Sequence, residues 1–317
     1  MKTIRYIVPY FGKLPSYFQM WLNTCSFNST INWLVLTDDS ATFDFPKNVE
    51  RQIITFQGLR DRIQQLFDFQ ISLDRPYKLC DYKIAYGEIF KKELSGYDFW
   101  GYCDIDLLWG QIRHFYTDEV LSSYDKIGMK GHSTIYRNTP QINSIYRLDL
   151  KDGQSYREIY SDDKSYCADD DFINSRFIFA NKKIFSKTNY AGLLIDRPGF
   201  SLQNIPESEK RFEKYHVFTW ENGELWRHYL DGNVIKRREY LYIHFFKRPM
   251  KNKIKTMNER ILIYPNCYKN IDTDITIRIV TKYGHKSKFS YACRMLWQYR
   301  KKITLKRISI FLKSLRC

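Results

Sequence analysis

Hydrophobic and polar positions in the first hundred residues alternate between two periods. TIRYIV (3–8) is an apolar run ending at Pro9, NWLVLT (32–37) a second ending at Asp38-Asp39, and RQIITF (51–56) a third. Short runs of this kind bounded by turn residues predict buried strands. Between them PSYFQMWLNTC, with Ser16 as its cap, and LRDRIQQLFDF carry helical spacing. A longer helix is predicted over 77–94, where Leu79, Tyr82, Tyr86 and Phe90 form one stripe. YDFWGYC (97–103) predicts a fourth strand, which delivers Asp104 and Asp106 at its C-terminal end. This βαβα succession implies an α/β fold with a mostly parallel sheet and helices on both faces.

The pattern then changes. DKIGMKGHSTIYRN (125–138) predicts a strand pair, and NTPQINSIYRL a helix begun at Asn138 or Thr139 with Pro140 early. From 215 a β-meander is expected: YHVFTW, ELWRHYL and VIKRREYLYIHFF, punctuated by the hairpin signals Asn222-Gly223 and Asp231-Gly232. One body over 1–274 follows, its first half reaching about 125 and its β-rich half covering 126–274. A tail occupies 275–317.

Composition narrows the class. An aromatic content of 17% and a hydrophobic content of 44% in 317 residues predict a packed core. The seven cysteines are scattered, odd in number and without a Cys-x-x-Cys pair, which argues against a zinc knuckle or a disulfide framework and favours a reducing compartment. Pro9 and Lys13 interrupt the apolar start, and no run reaches 18 apolar residues, so neither a secretory signal nor a transmembrane helix is expected. The expected location is cytoplasmic.

The net charge of +16 is unevenly placed. Residues 275–317 hold 12 Lys/Arg and no Asp/Glu, leaving 39 basic against 35 acidic residues in the first 274. In the tail, Met295, Leu296, Tyr299, Ile303 and Ile310 fall near one helical stripe, widened by Leu305, Ile308, Leu312 and Leu315. A basic amphipathic helix predicts binding to an anionic membrane surface, each basic group adding about 1 kcal/mol. The plain alternative is a helix packed on the body with a solvated basic face. Nucleic acid is not expected as a partner, since the charge is confined to the tail and no recognition motif accompanies it.

The stretch FWGYCDIDLLWG (99–110) sets two carboxylates in an apolar run, where an unpartnered charge costs several kcal/mol. In open α/β sheets, ligands bind beyond the carboxyl ends of the strands, and residues i and i+2 share a face. Asp104 and Asp106 can therefore point at one object. Two like charges that close call for a cation between them, and hard divalent ions are commonly held by carboxylates together with substrate phosphates. A metal–phosphate site is the chemical reading; one aspartate capping the next helix and the other solvated is the bland one. The tripeptide alone leaves both open.

The order of segments goes further. YIVPYFGKLPSYFQMWLNT, WLVLTDD, YKLCDYKIAYGEIF, FWGYCDIDLLWG, GHSTIYRN and YIHFFKR, spanning 6–248, resemble glycosyltransferases of the GT-A fold, in particular a bacterial group assigned to capsule and O-antigen polysaccharide synthesis. The resemblance implies a hexosyltransferase whose first half, to about 125, takes the nucleotide-sugar, and whose second half takes the acceptor. It implies that Asp104 and Asp106 hold Mn²⁺ or Mg²⁺ on the diphosphate of a donor such as a UDP-sugar, Asp106 being the more direct ligand. His244 is then the third metal ligand, the plain alternative being a histidine packed in an apolar strand, and Lys247 the phosphate contact, with Arg248 beside it.

The loop Pro9-Tyr10-Phe11-Gly12 is expected against the nucleotide. Asp38 or Asp39 is expected to accept from base or ribose, unless they form an ordinary strand-end turn. Lys83 joins the donor site, while Lys78 and Asp81 share a helix face and are expected to form a surface salt bridge. Among Asp169, Asp170 and Asp171, the resemblance implies an acidic residue acting on the acceptor hydroxyl or the donor sugar. Asp170 is the first choice and Asp169 the second, with Asp171 near the substrate, although a helix N-cap explains one of the three equally well. His132 and Arg137 fall where sugar contacts are expected. His114, His216, His228 and His285 are read as structural or solvent-facing. The implied protein is a peripheral enzyme of the inner membrane face, working on a lipid-linked surface glycan. A metal-dependent phosphohydrolase or nucleotidyltransferase, or a non-catalytic binding protein, are the competing classes.

Overall fold

In the computed structural model, which describes residues 1–151, 153–194, 198–210, 215–257 and 259–284, the apolar runs become strands β1 (Ile4–Pro9), β2 (Ile31–Thr37), β3 (Val49–Ile53) and β4 (Phe99–Cys103). β2 lies parallel to both β1 and β3, and β1 parallel to β4. The chain divides into two compact units, Met1–Ile105 with Ile112–Lys187, and Asp106–Gln111 with Thr188 onward.

In the first unit β1, β2 and β4 carry buried side chains on both faces, as strands covered on both sides must, while the edge strand β3 is mostly exposed. Trp33 on one face stacks on Tyr6 and meets Trp21 of the helix Phe18–Ser26. Leu34 and Leu36, on the other face, share a core with Leu59 and Ile63 of the helix Phe56–Gln64. The strand expected over 51–56 ends at Ile53, and Thr55, expected within it, instead caps that helix and accepts from Gly58 N. With β5 (Leu107–Trp109) in the second unit, the first unit continues with β6 (Lys126–Lys130), β7 (Ser133–Arg137) and β8 (Ile184–Phe185). Its seven-stranded sheet runs β3-β2-β1-β4-β7-β6-β8, with β7 antiparallel to β4 and β6. Gly131-His132 close the β6–β7 hairpin, since Lys130 pairs with Ser133.

The second unit holds two sheets. One, in the order β10-β9-β14-β5, combines β9 (Tyr190–Gly192), β10 (Ser201–Gln203) and β14 (Tyr242–His244) with β5. The other, in the order β13-β12-β11-β16-β17-β15, contains the meander β11 (His216–Glu221), β12 (Glu224–Asp231) and β13 (Val234–Glu239), joined by β15 (Lys251–Lys253), β16 (Ile261–Tyr264) and β17 (Cys267–Asn270). Asn222-Gly223 form the first hairpin turn with φ of 51° and 84°, the left-handed pair that a two-residue turn demands. The second turn falls on Gly232-Asn233, one residue beyond the expected pair. A helix over Ile277–Gly284 packs Val280 against Val217 and Leu262. Among the described residues no helix is long and apolar enough to cross a membrane. The predicted tail stripe from Met295 to Leu315 lies outside the described residues.

Further expectations about elements are corrected: Tyr17, not Ser16, stands at the N-cap of the helix Phe18–Ser26, and two longer predicted runs are divided. The helix over 77–94 is broken into a 3-10 turn Pro76–Lys78, a helical turn Leu79–Tyr82, a second 3-10 turn Lys83–Ala85 and a turn Tyr86–Ile89. Lys78, Leu79, Asp81, Tyr82, Ile84, Ala85 and Tyr86 are all buried there, more than one stripe of a straight α-helix can bury. The run VIKRREYLYIHFF is two strands in different sheets, β13 and β14. Tyr240 and Leu241 between them are both fully buried, which alternation within one strand facing solvent does not allow.

Candidate active site

The site begins where the sheet strand β4 ends. Asp106 immediately precedes β5, and His244 closes β14, which pairs His244 with Leu107. This antiparallel register brings His244 Nε2 to 3.2 Å from Asp106 Oδ1, both side chains only 6% exposed. Asp106 Oδ2 accepts from Lys247 N at 2.6 Å, and the Asp106 carbonyl accepts from Phe245 N at 2.9 Å. Phe246 and Lys247 adopt φ of 49° and 55°, a left-handed turn that non-glycine residues hold only when something over-determines it. The Asp106 carboxylate supplies that hold. Burial pushes its pKa up, but the hydrogen bond and charge of His244 and the Lys247 N–H outweigh this and leave it below the ordinary carboxylate range.

Two residues earlier, Asp104 belongs to a second cluster. Its N–H donates to the His132 carbonyl at 3.0 Å. Lys83 donates to Asp104 Oδ1 at 3.0 Å and to the Gly131 carbonyl at 2.7 Å, and pairs with Asp169 Oδ2 at 3.0 Å. Its ammonium also lies over the Tyr102 ring. Burial alone would lower the Lys83 pKa; Asp104 and Asp169 reverse that and hold it well above the ordinary lysine value. Asp169 is itself pushed up, by burial first, with Lys83 opposing. Gly131 N donates to Asp170 Oδ1 at 2.8 Å. An added Cβ on Gly131 would fall 2.2 Å from Asp169 Oδ2, so this turn admits no side chain.

The tripeptide Asp104-Ile105-Asp106 links the clusters covalently. One ligand atom each from Asp104, Asp106 and His244 lie within 4.8 Å of one another. Two carboxylate oxygens and an imidazole nitrogen suit a divalent cation of the Mg²⁺–Mn²⁺ kind, the imidazole favouring the softer end of that range.

The other expected site residues fall as follows. Tyr10 N donates to the Leu36 carbonyl, and Phe11 packs edge-on against Phe56. Asp38 accepts from Gly12 N and Asp39 from Leu14 N, both at 2.7 Å, so these carboxylates bind the loop after Pro9 to the end of β2. Backbone N–H groups of Leu14 and Ala41 hold Asp39 below the ordinary range. Asp170 occupies the N-cap position of the helix Asp171–Phe179 without a capping bond, and Asp171 is exposed in its first turn. Arg137 is not among the clustered groups: its guanidinium serves Asp125 and the carbonyls of Leu121, Ser122 and Tyr124. Arg248 is 6% exposed and donates to Asn266, Leu194 and Pro198.

The surface salt bridge expected of Lys78 and Asp81 is instead buried, at 1% and 0% exposure. Sequence reasoning missed this, as it missed Gly131 and Lys126. A lysine and an aspartate at i, i+3 read as surface in any helix, and the only warning was their place inside the aromatic run YKLCDYKIAYGEIF.

Lys126, on β6, is fully buried and donates to Gly128 O at 2.6 Å and Asn174 Oδ1 at 2.7 Å. Burial pushes its pKa from 10.5 down to about 7, against the pull of Asp170 and Asp169. Between those values the unfolded chain holds a proton that the folded one has released, so stability due to this group rises with pH from about 7 toward 10.5, and its penalty is complete below 7. In urea unfolding, wild type should therefore gain stability relative to Lys126→Met between pH 7 and 9.5; parallel pH curves would contradict the burial argument.

Parts of the fold overlap with solved glycosyltransferases. The chain is similar to galactosyltransferase LgtC in complex with donor and acceptor sugar analogs, at 11% identity and a TM-score of 0.35, over 59% of this chain and 75% of that one. Mouse xyloside xylosyltransferase 1 in its apo form gives 9% identity and a TM-score of 0.35, over 61% and 88%. GlyE of Streptococcus pneumoniae TIGR4, also apo, gives 12% and 0.29, over 59% and 45%. No curated protein matches the sequence. A family model covers most of the chain, residues 6–272, and by that match the protein belongs to the family of unknown function DUF6625.

Proposed function

We propose that this protein is a metal-dependent glycosyltransferase that moves a sugar from a nucleotide-sugar, with UDP as the carrier, to a growing lipid-linked surface glycan. The observation that carries the proposal is the convergence of Asp104, Asp106 and His244 within 4.8 Å, on residues whose sequence context resembles GT-A enzymes. Asp104, Asp106 and His244 would hold Mn²⁺ or Mg²⁺, and the bound ion supplies positive charge for the diphosphate leaving group. Lys247, whose N–H is on Asp106, is the proposed phosphate contact. Lys83 fixes Asp104 and Asp169 against one ammonium. As the acceptor oxygen replaces the diphosphate it loses a proton, and Asp169, raised by burial, is suited to take it.

The test is thermal stability of the purified protein with Mn²⁺ and a panel of nucleoside diphosphates and nucleotide-sugars. UDP should raise the melting temperature only with metal present, by the equivalent of about 2.7 kcal/mol at a concentration 100 times Kd. Indifference to every nucleotide, with metal and without, would sink the proposal. Membrane attachment is assigned to the 275–317 segment by its charge. Removal of residues 290–317 should release the protein from vesicles containing anionic lipid while leaving UDP binding intact; retained vesicle binding would refute the anchor.

A further inference from the structure

The buried Lys78–Asp81 pair lies outside the metal ligands, and its partners are unusual for an ion pair one helical turn long. Asp81 accepts from Tyr166 N through both carboxylate oxygens at 3.0 Å, and from Ala168 N at 3.1 Å. Lys78 donates to Asp81 at 2.8 Å, to the Ile159 carbonyl at 2.8 Å and to the Lys164 carbonyl. Its ammonium also faces the Tyr166 ring. Apart from the Lys78–Asp81 bond itself, these contacts all land on the segment 159–168, which leads directly into Asp169. Cys167, between the two N–H groups that Asp81 holds, has a φ of 52°, so the backbone there is bent into a region a non-glycine residue seldom occupies. Two residues beyond Asp81, Lys83 takes the Asp169 carboxylate itself.

We infer that Asp81, with Lys78, is a positioning residue that sets Asp169 against Lys83 and Asp104. The inference rests on the glycosyltransferase reading only for the rate it predicts. A buried ion pair is a weak stabilising device, because desolvation offsets most of the Coulomb gain and an apolar pair of similar volume is often as stable. What an apolar pair cannot do is accept two N–H groups adjoining Asp169 and donate to two carbonyls before them. The stretch Lys78–Lys83 therefore grips the acidic loop at both ends. Displacing a reacting group by about 1 Å costs about 100-fold in rate, so a loosened loop is felt in catalysis even where the fold survives.

The experiment uses Asp81→Asn and the apolar double variant Lys78→Met/Asp81→Leu, so that one uncompensated buried charge does not decide the outcome. Four quantities are read: the melting temperature, Mn²⁺-dependent UDP binding, the transfer rate, and the ¹³Cγ resonance of Asp169, assigned by its loss in Asp169→Asn. At least one variant should melt cooperatively and keep UDP binding within about 3-fold. In it the Asp169 resonance should move, and kcat should fall by about 10- to 100-fold with the donor KM little changed. In the Asp169→Asn background, the Asp81 change should cost nothing further, as residues acting through one another are not additive. An unmoved Asp169 resonance in a folded variant, or losses that multiply, would overturn the inference. Failure of both variants to fold would do the same, making the pair purely structural. A moved resonance in a protein that transfers no sugar in any form would uphold the positioning role and sink the glycosyltransferase reading instead.

Discussion

Asp106→Ala should remove the metal-dependent nucleotide binding proposed for this site. The carboxylate does three things at once: it faces His244 Nε2, accepts the Lys247 N–H, and lies among the ligand atoms gathered with Asp104 and His244. Taking it away leaves a buried ring nitrogen and a buried N–H without that acceptor, about 1–3 kcal/mol for each. The left-handed turn at Phe246-Lys247 then loses its tether. Asp106→Asn separates these effects, since an amide oxygen still accepts from Lys247 while the negative charge is gone. Calorimetric titration with Mn²⁺ in the presence of UDP should show affinity reduced by at least about 100-fold in both variants, more than the 10- to 100-fold typical of outer-shell partners. Melting should fall more in Asp106→Ala than in Asp106→Asn. Mn²⁺ affinity near that of wild type in a folded Asp106→Asn protein would show that the site has been misplaced.

Gly131→Ala is the second substitution with a large expected effect, and it acts on the other cluster. The new methyl would fall 2.2 Å from Asp169 Oδ2 and 2.4 Å from its Cγ, closer than non-bonded contacts of a real Cβ, so something must shift. Asp169 cannot simply swing aside, because it is buried and paired with Lys83, and Lys83 also holds the Gly131 carbonyl. Either the hairpin turn or the carboxylate must move, and both moves break the arrangement around Lys83. Transfer should drop by about 100-fold, following the cost of a displacement near 1 Å, while Mn²⁺-dependent UDP binding should fall by much less, because Asp106 and His244 are untouched and Asp104 alone of the three proposed ligands is held by Lys83. A Gly131→Ala enzyme with normal turnover would remove Asp169 from any part in the reaction. The two substitutions thus separate donor binding from the acidic loop.

Much of the first unit was legible in the sequence for a simple reason. Strands buried on both faces must be continuous apolar runs, and TIRYIV, NWLVLT and FWGYC are such runs, each within two residues of a strand in the structure. The hairpin at Asn222-Gly223 was legible because only a few residues tolerate its dihedral angles. The segment 77–94 misled because helical spacing describes one buried stripe, whereas this segment is buried on several sides and alternates 3-10 and α turns to achieve it.

The same division runs through the site. By itself the sequence determined that Asp104 and Asp106 end an apolar strand of a mostly parallel sheet; it left open whether a cation or a helix cap accounts for the pair, and it was the resemblance to GT-A enzymes that nominated His244 and Lys247 as their company. Local chemistry and period suffice only for the strand and the pair at its end. Only the tertiary structure decided that Lys83 joins Asp104 to Asp169, that Gly131 must lack a side chain, and that Lys78 and Asp81 are buried clamps on 159–168 rather than a solvated pair. These are contacts between residues far apart in the chain, and nothing in local spacing encodes which distant carbonyl or N–H a buried charge will meet. A charged side chain reads as surface until the fold shows what has closed over it.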